Sequence, residues 1–225
     1  MNTPGNKFRD AIADNKPLMV VGAINAYCAK MAEKAGHKAL YLSGAGVANA
    51  SFGLPDLAIT TLNDVAEDSR RITQATNLPL LIDIDTGFGG AFSISRTIKE
   101  MIAADVAAVH IEDQVTQKRC GHRPNKSLVD KVEMSDRIKA AVDGRTDDSF
   151  FIMARTDSYA SEGMEGAIDR CNEYIAAGAD GVMLEVHPDP KNAAVDPLQP
   201  INFQDFDTLI NDMHKVALSI GRNIL

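Results

Sequence analysis

Two carboxylates set two positions apart at the end of an apolar run are the first feature of this sequence that could do chemistry. In Leu80-Leu81-Ile82-Asp83-Ile84-Asp85, strand geometry would put Asp83 and Asp85 on one face. Unpaired carboxylates beside Leu and Ile are costly, and a hard cation is the usual compensation, Mg²⁺ or Mn²⁺ with positions left for water and a substrate carboxylate. The alternative is that the pair caps the turn Gly87-Phe88-Gly89-Gly90 or faces an arginine. The segment Lys118 to Lys126 is the second feature, with two Lys, two Arg and His122 gathered around Cys120. Cationic surroundings favour thiolate over thiol, so Cys120 could exchange a proton near neutral pH, and they suit a substrate with several carboxylates. The plainer reading is a solvated basic loop with an incidental cysteine. Gly121 and Pro124 give the segment the look of a mobile lid.

Arg155 follows an apolar run and precedes Thr156-Asp157, which points to a guanidinium gripping a substrate carboxylate, or paired with Asp157 or Asp83. Ser43-Gly44-Ala45-Gly46 can bring backbone N–H groups close to an oxyanion. Glu112 and Glu185 are candidate outer partners of a metal. Cys28 and Cys171 fall on helical patches and read as core packing.

What these residues share is their place in a regular alternation of short apolar strands and amphipathic helices. Six strands are predicted: 18–23, 39–42, 80–84, 106–111, 150–154 and 181–185. Between them Leu62, Val65, Ser69 and Ile72 recur at helical spacing behind a Thr61/Asp64 capping box, and Ile94, Ile98 and Met101 repeat the pattern. Ser43, Asp83, Asp85, Glu112, Arg155 and Glu185 all stand at or just past the C-terminal end of a strand. This is the rim where a (β/α) barrel gathers its chemistry. An open doubly wound sheet would carry a glycine-rich phosphate loop after its first strand, and Ile24-Asn25-Ala26 is no such loop. The expectation is an α/β chain of TIM-barrel type, shortened to six strands, in a single domain over residues 1–225. The connections 43–60 and 112–128, rich in Gly, Pro and polar residues, are long enough to be functional loops.

Composition narrows the partners. The 225 residues carry a net charge of −8, which argues against nucleic acid or an anionic membrane as the main partner. No apolar run approaches a membrane span and the first residues do not resemble a signal peptide, so a cytoplasmic location is expected. Three widely spaced cysteines indicate neither a disulfide framework nor a zinc cage.

Several segments are recognisable together: Ser43-Gly44-Ala45-Gly46-Val47, Gly53-Leu54-Pro55-Asp56, Asp83 to Gly89, His110-Ile111-Glu112-Asp113-Gln114, Lys118 to Lys126 and Met153-Ala154-Arg155-Thr156-Asp157. From about Pro4 to Asp180 the chain resembles the methylisocitrate lyase branch of the isocitrate lyase and phosphoenolpyruvate mutase superfamily. The Lys-Arg-Cys-Gly-His stretch is the mark of the lyases, and the Arg-Pro-Asn-Lys after it looks like the methylisocitrate branch. The resemblance implies retro-aldol-type cleavage of 2-methylisocitrate to pyruvate and succinate. It implies Mg²⁺ held by Asp83 and Asp85, with Ser43, Gly44 and Ala45 on the 2-oxo acid half. Cys120 and Gly121 would lie on the catalytic lid with His122, Cys120 acting as general acid, while Arg155 and Glu185 would contact the substrate. A related lyase or hydrolase acting on another 2-hydroxy acid is the alternative that the superfamily allows.

Beyond Asp180 the match to that family is replaced. Glu185 to Asp196, then Phe203 to Arg222, is similar to the closing βα unit of 3-deoxyheptulosonate phosphate synthase, in which the matching Glu and Asp bind a divalent metal. The expectation is a fusion of two barrel pieces with its junction near 180–186, which in one form would be folded but inactive. Six strands are too few for the family's closure, and an exposed sheet edge favours homo-oligomers.

Overall fold

In the computed structural model, which describes residues 2–121, 123, 125–194 and 197–221, each predicted apolar run becomes a parallel strand. The strands are β1 Val20–Gly22, β2 Ala39–Leu42, β3 Leu80–Asp83, β4 Ala108–Glu112, β5 Phe151–Arg155 and β6 Gly181–Met183. They form one sheet in the order β1-β2-β3-β4-β5-β6, and among the described residues β6 does not pair back to β1. The sheet is therefore an open half-barrel, as six strands predict. Helices α1 Pro4–Asp14, α2 Ala26–Lys34, α3 Gly44–Gly46, α4 Leu62–Thr73, α5 Ala91–Ala103, α6 Lys131–Gly144, α7 Tyr159–Ala176 and α8 Phe203–Ser219 complete the chain. None is long and apolar enough to cross a membrane.

The two-residue period of the strands divides the side chains into two sets. Leu40, Leu42, Leu80, Ile82, Val109, Ile111, Ile152 and Ala154 face outward into the main core. They meet the apolar stripes of the helices: Leu62, Val65 and Ile72 of α4, and Ile94, Ile98 and Met101 of α5. The predicted capping box is formed, with Asp64 Oδ2 accepting the N–H and the hydroxyl of Thr61, each at 2.8 Å. The opposite set points into the half-barrel. Its lower layer is apolar, with Leu81, Ala108 and Phe151 closed from below by Phe8 of α1. Phe8 meets Phe151 edge-on at 5.5 Å, and Arg9 stacks over the same ring while pairing with Asp180 at 3.0 Å. The upper layer of this inward set is polar: Tyr41, Asp83, His110, Glu112 and Arg155. Register aligns it, since Asp83 lies opposite His110, and Glu112 opposite Arg155.

Two local departures from expectation matter for the site. The 43–60 connection is not simply a loop: Gly44–Gly46 turns helically and runs into a π-helical stretch, Val47–Ser51. In addition, β6 ends at Met183, so Glu185 stands two residues beyond the strand rather than at its end. Cys171 of α7 is fully buried and Cys28 of α2 half-buried, which matches their reading as packing residues.

Candidate active site

A group of buried carboxylates occupies the C-terminal mouth of the half-barrel, held in place by one lysine. Asp83 is the last residue of β3, and its Oδ1 accepts the N–H of Asp85 at 2.9 Å. Asp85 lies past the strand with φ 50°, a left-handed conformation that turns its carboxylate back toward Asp83. The two groups therefore converge, but through this turn rather than through the strand alternation that the spacing suggested. Gly44 is packed against both: a Cβ there would sit 3.1 Å from Asp83 Oδ2 and 3.2 Å from Asp85 Oδ1. Its N–H donates to Asp83 at 3.2 Å.

Lys118, only 3% exposed, is the counter-charge. Its Nζ lies 2.6 Å from Asp85 Oδ1, 3.0 Å from Asp56 Oδ1 and 3.7 Å from Glu112 Oε1. Burial opposes its charge, but Glu112, Asp83, Asp85 and Asp56 outweigh burial and raise its pKa, so it stays cationic. For Asp83, burial is again overcome, here by His110, Lys118, Arg155 and the Asp85 N–H, and the carboxyl is pulled down to about 2. Burial and the charge on Asp83 push Asp85 up to about 6 despite Lys118. Glu112 is driven well above the usual carboxylate range by burial, with Lys118 and Arg155 only partly offsetting it. His110, with no exposure at all, is brought down to about 4 by burial and is neutral at physiological pH. Its Nε2 sits 3.0 Å from the Tyr41 hydroxyl, and the two rings stack at 5.7 Å.

Both oxygens of Glu112 are buried without a hydrogen-bond partner among the described residues, whereas Asp85 Oδ1 has the Lys118 ammonium 2.6 Å away. Orphaned buried oxygens carry a desolvation cost that a hard cation with its waters relieves. Hard oxygen donors are also the right chemistry for Mg²⁺. Among the described residues no three His, Cys, Asp or Glu side chains converge as a ready-made cage. Beside Asp85 opens a cleft of about 380 Å³, lined also by Thr60, Thr86, Phe88, Arg96 and Thr116; Glu112, Arg155 and Cys120 do not line it.

Arg155 closes the opposite side of the acid group. Its Nε donates to Asp157 Oδ1 at 2.9 Å, while Glu112 Oε2 stands 3.7 Å from Nε and Glu185 Oε1 3.6 Å from Nη2. Pairing with Asp157 is thus real, and pairing with Asp83 is not. The basic segment lies directly on this guanidinium. A Cβ at Gly121 would collide with Arg155 Nη2, and Lys126 Nζ donates to the Gly121 carbonyl at 2.6 Å. Cys120, half-buried, comes immediately before Gly121. Gly121→Ala is therefore expected to push either the segment or Arg155 out of place. Calorimetry should show carboxylate-probe affinity reduced by about tenfold or more, on the scale of one lost charge-assisted bond, with the thermal midpoint nearly unchanged.

The structure thus brings Asp83, Asp85, Gly44, Gly121, Arg155 and Glu185 to one mouth, with Ser43 and Ala45 flanking Gly44 and Cys120 flanking Gly121. His122 and Asp196 lie outside the described residues. Sequence reasoning named Asp56 and His110 within recognisable segments without giving them a role, counted Lys118 only as one charge of a basic loop, and did not pair Tyr41 with His110. For that pair a signal existed: Tyr41 and His110 share the inward strand phase of Asp83 and Glu112.

Comparison with known proteins gives the chain's family. Residues 8–199 match the family model described as phosphoenolpyruvate phosphomutase, a match that runs through the expected junction near 180–186. The chain is 66% identical over 181 residues to 2-methylisocitrate lyase of Shewanella oneidensis, covering 80% of this chain and 62% of that protein. With the same enzyme of Escherichia coli it shares 57% identity over 186 residues, covering 82% and 63%. The chain thus spans about three fifths of the length of these curated relatives. Among solved structures, 2,3-dimethylmalate lyase superimposes with a TM-score of 0.82 at 34% identity, covering 94% of this chain and 67% of that one. Phosphonopyruvate hydrolase, solved in complex with oxalate and Mg²⁺, gives 0.73 at 29% identity over 84% of this chain and 65% of its own.

Proposed function

From the premise that this chain belongs to the phosphoenolpyruvate mutase and isocitrate lyase superfamily, we propose that it carries the site of a Mg²⁺-dependent carbon–carbon lyase cleaving 2-methylisocitrate to pyruvate and succinate. The observation that carries the reading is the acid group itself. Three carboxylates, Asp56, Asp85 and Glu112, lie within 4 Å of the Lys118 ammonium at a barrel mouth with Asp83 beside them; Glu112, whose oxygens have no hydrogen-bond partner among the described residues, faces Arg155 under the cysteine-bearing segment.

Asp83 and Asp85 would hold the metal, with Mn²⁺ an acceptable substitute; when bound, Mg²⁺ supplies Lewis-acid stabilisation of charge on the 2-oxo acid half. Arg155, kept cationic and fixed in direction by Asp157, grips a substrate carboxylate and stabilises the charge that develops beside it. Ser43 and Ala45 line the same half from the β2 turn, and Glu185 contacts substrate near Arg155. As the C–C bond breaks, the substrate hydroxyl gives its proton to a carboxylate of the acid group and becomes the pyruvate carbonyl. The bonding electrons pass to the succinate half, whose carbon takes a proton from the Cys120 thiol. The cationic segment on which Cys120 stands favours the thiolate left behind, and His122 belongs to that segment. The substrate class is a small di- or tricarboxylate.

Calorimetric titration of oxalate tests the binding half of this reading. Oxalate is expected to bind only when Mg²⁺ is present, and Asp85→Ala is expected to abolish that binding. Oxalate binding indifferent to Mg²⁺, or undiminished in Asp85→Ala, would overturn the assignment of the metal site.

A further inference from the structure

The residues of the basic segment that do chemistry flank Arg119, and Arg119 is pinned at both backbone groups by one side chain. Gln114, 1% exposed, follows β4 by two residues. Its Oε1 accepts the Arg119 N–H at 3.0 Å, and its Nε2 donates to the Arg119 carbonyl at 3.0 Å. The second hydrogen of the same Nε2 goes to Asp157 Oδ2 at 2.7 Å. Asp157 is the carboxylate that holds Arg155, at 2.9 Å from Nε and 3.4 Å from Nη2.

We propose that Gln114 is a positioning residue that couples the 118–121 segment to Arg155, fixing Lys118 and Cys120 on one side and the substrate-binding guanidinium on the other through a single carboxamide. The proposal rests on the site reading above, because it assigns Gln114 a part in that site.

The geometry suits a coupling element better than a simple loop anchor. Gln114 has its backbone fixed independently of its side chain. Arg137 of α6 donates to its carbonyl at 2.8 Å. A bridge from Gln114 to Leu128 closes the stem of the segment, flanked by Val115 N–H to the Ser127 carbonyl and Val129 N–H to the Asp113 carbonyl, both 2.9 Å. The side chain is not needed to hold the stem together. Both of its donors and its acceptor are committed to the two parts of the site, and only a primary amide supplies that set at this length. Asp157 is held in turn, since its N–H donates to Asp113 Oδ1 at 3.0 Å and its Oδ1 also receives Gln199 Nε2 at 3.3 Å. Buried networks of this kind act as units, so loosening one end should be felt at the other.

Hydrogen exchange at the Arg119 amide, read in the whole protein with no ligand, tests the coupling. In Gln114→Leu that exchange should rise by about tenfold or more, the loss of one or two buried hydrogen bonds, while thermal unfolding stays cooperative. Gln114→Asn, an amide too short to span both partners, gives the same readout if leucine does not fold. The decisive arm is Asp157→Asn. Among the described residues Asp157 makes no hydrogen bond to the segment's backbone, yet coupling predicts faster exchange at Arg119 in this variant too. Unchanged exchange in the Gln114 variants, or a rise there with none in Asp157→Asn, would overturn the proposal. Oxalate affinity in the presence of Mg²⁺ should fall in parallel, by about tenfold. Failure of the parent protein to bind oxalate would count against the site reading alone, since the exchange arms decide the coupling without any ligand.

Discussion

Replacing Cys120 by alanine is expected to lower cleavage of 2-methylisocitrate by a factor of about 10² to 10⁴, the range lost when a positioned general acid is removed. Oxalate binding in the presence of Mg²⁺ should stay close to the parent's, because the substitution keeps the acid group and Arg155. The split between turnover and binding is the informative part. Cys120 sits between Arg119, which Gln114 holds, and Gly121, which packs on Arg155, so its place is set by neighbours that the substitution leaves untouched. Serine in its place should rescue little, since an alcohol is a far weaker acid than a thiol. Steady-state pyruvate release for both variants, beside calorimetry, checks this. Turnover within about tenfold of the parent would remove Cys120 from the proton transfer.

The second large effect is expected at Lys118. With its ammonium within 4 Å of Asp85, Asp56 and Glu112, Lys118→Met leaves three buried or part-buried carboxylates with much of their compensation gone. Breaking a buried ion pair on one side typically costs about 3–5 kcal/mol, so the variant should be less stable by that order at neutral pH without metal. The sign of the pH dependence follows from Asp85. Its carboxyl lies at about 6 in the folded protein, pushed up from its ordinary 3.8 by burial and by Asp83. Between those values the folded chain keeps a proton that the unfolded chain has released, so this group's contribution to stability declines as pH rises through the window. Lys118 lowers that pKa; removing it moves the window upward and deepens the loss. His110, pulled down to about 4 by burial, works in the opposite direction, its contribution being lost as pH falls from about 6.5 through 4. Lys118 supplies a smaller part of that lowering, so its removal eases this acid-side loss and works in the same direction as Asp85. Denaturant unfolding from pH 4.5 to 8 should show the Lys118→Met deficit shrinking toward acid pH, and Mg²⁺ restoring more stability to the variant than to the parent. A deficit independent of both pH and Mg²⁺ would mean that Lys118 acts by packing rather than by charge.

The strands were legible because a strand buried on both faces is written as a nearly continuous apolar run, and Leu80–Asp83 and Ala108–Glu112 are such runs. Helices α4 and α5 were equally plain, since Leu62, Val65 and Ile72, and Ile94, Ile98 and Met101, recur at helical spacing and are all buried. Short irregular elements left no periodic trace. The turn Gly44–Gly46 and the π-helical Val47–Ser51 read as a glycine-rich loop, because a stretch so small carries no repeat. At the site, residue types at strand ends pointed to Asp83, Asp85, Glu112 and Arg155, but pairing could not be read from them. Which carboxylates Lys118 meets depends on how the segment after β4 folds back over the mouth, and Asp56 and Asp85 lie far from it in sequence. Gln114 stood in a recognisable segment, but its part was unreadable for the same reason. A glutamine after a strand is unremarkable until its two partners, five and forty-three residues away, are seen in space.

The central claim is that this mouth is a metal-dependent lyase site. Its most direct test is the formation of pyruvate and succinate from 2-methylisocitrate by the purified protein, measured with Mg²⁺ and again with excess chelator. The account predicts both products in equal amounts, formed only with the metal. No release of either product from protein shown to be folded and to bind Mg²⁺, or equal release in chelator, would contradict it.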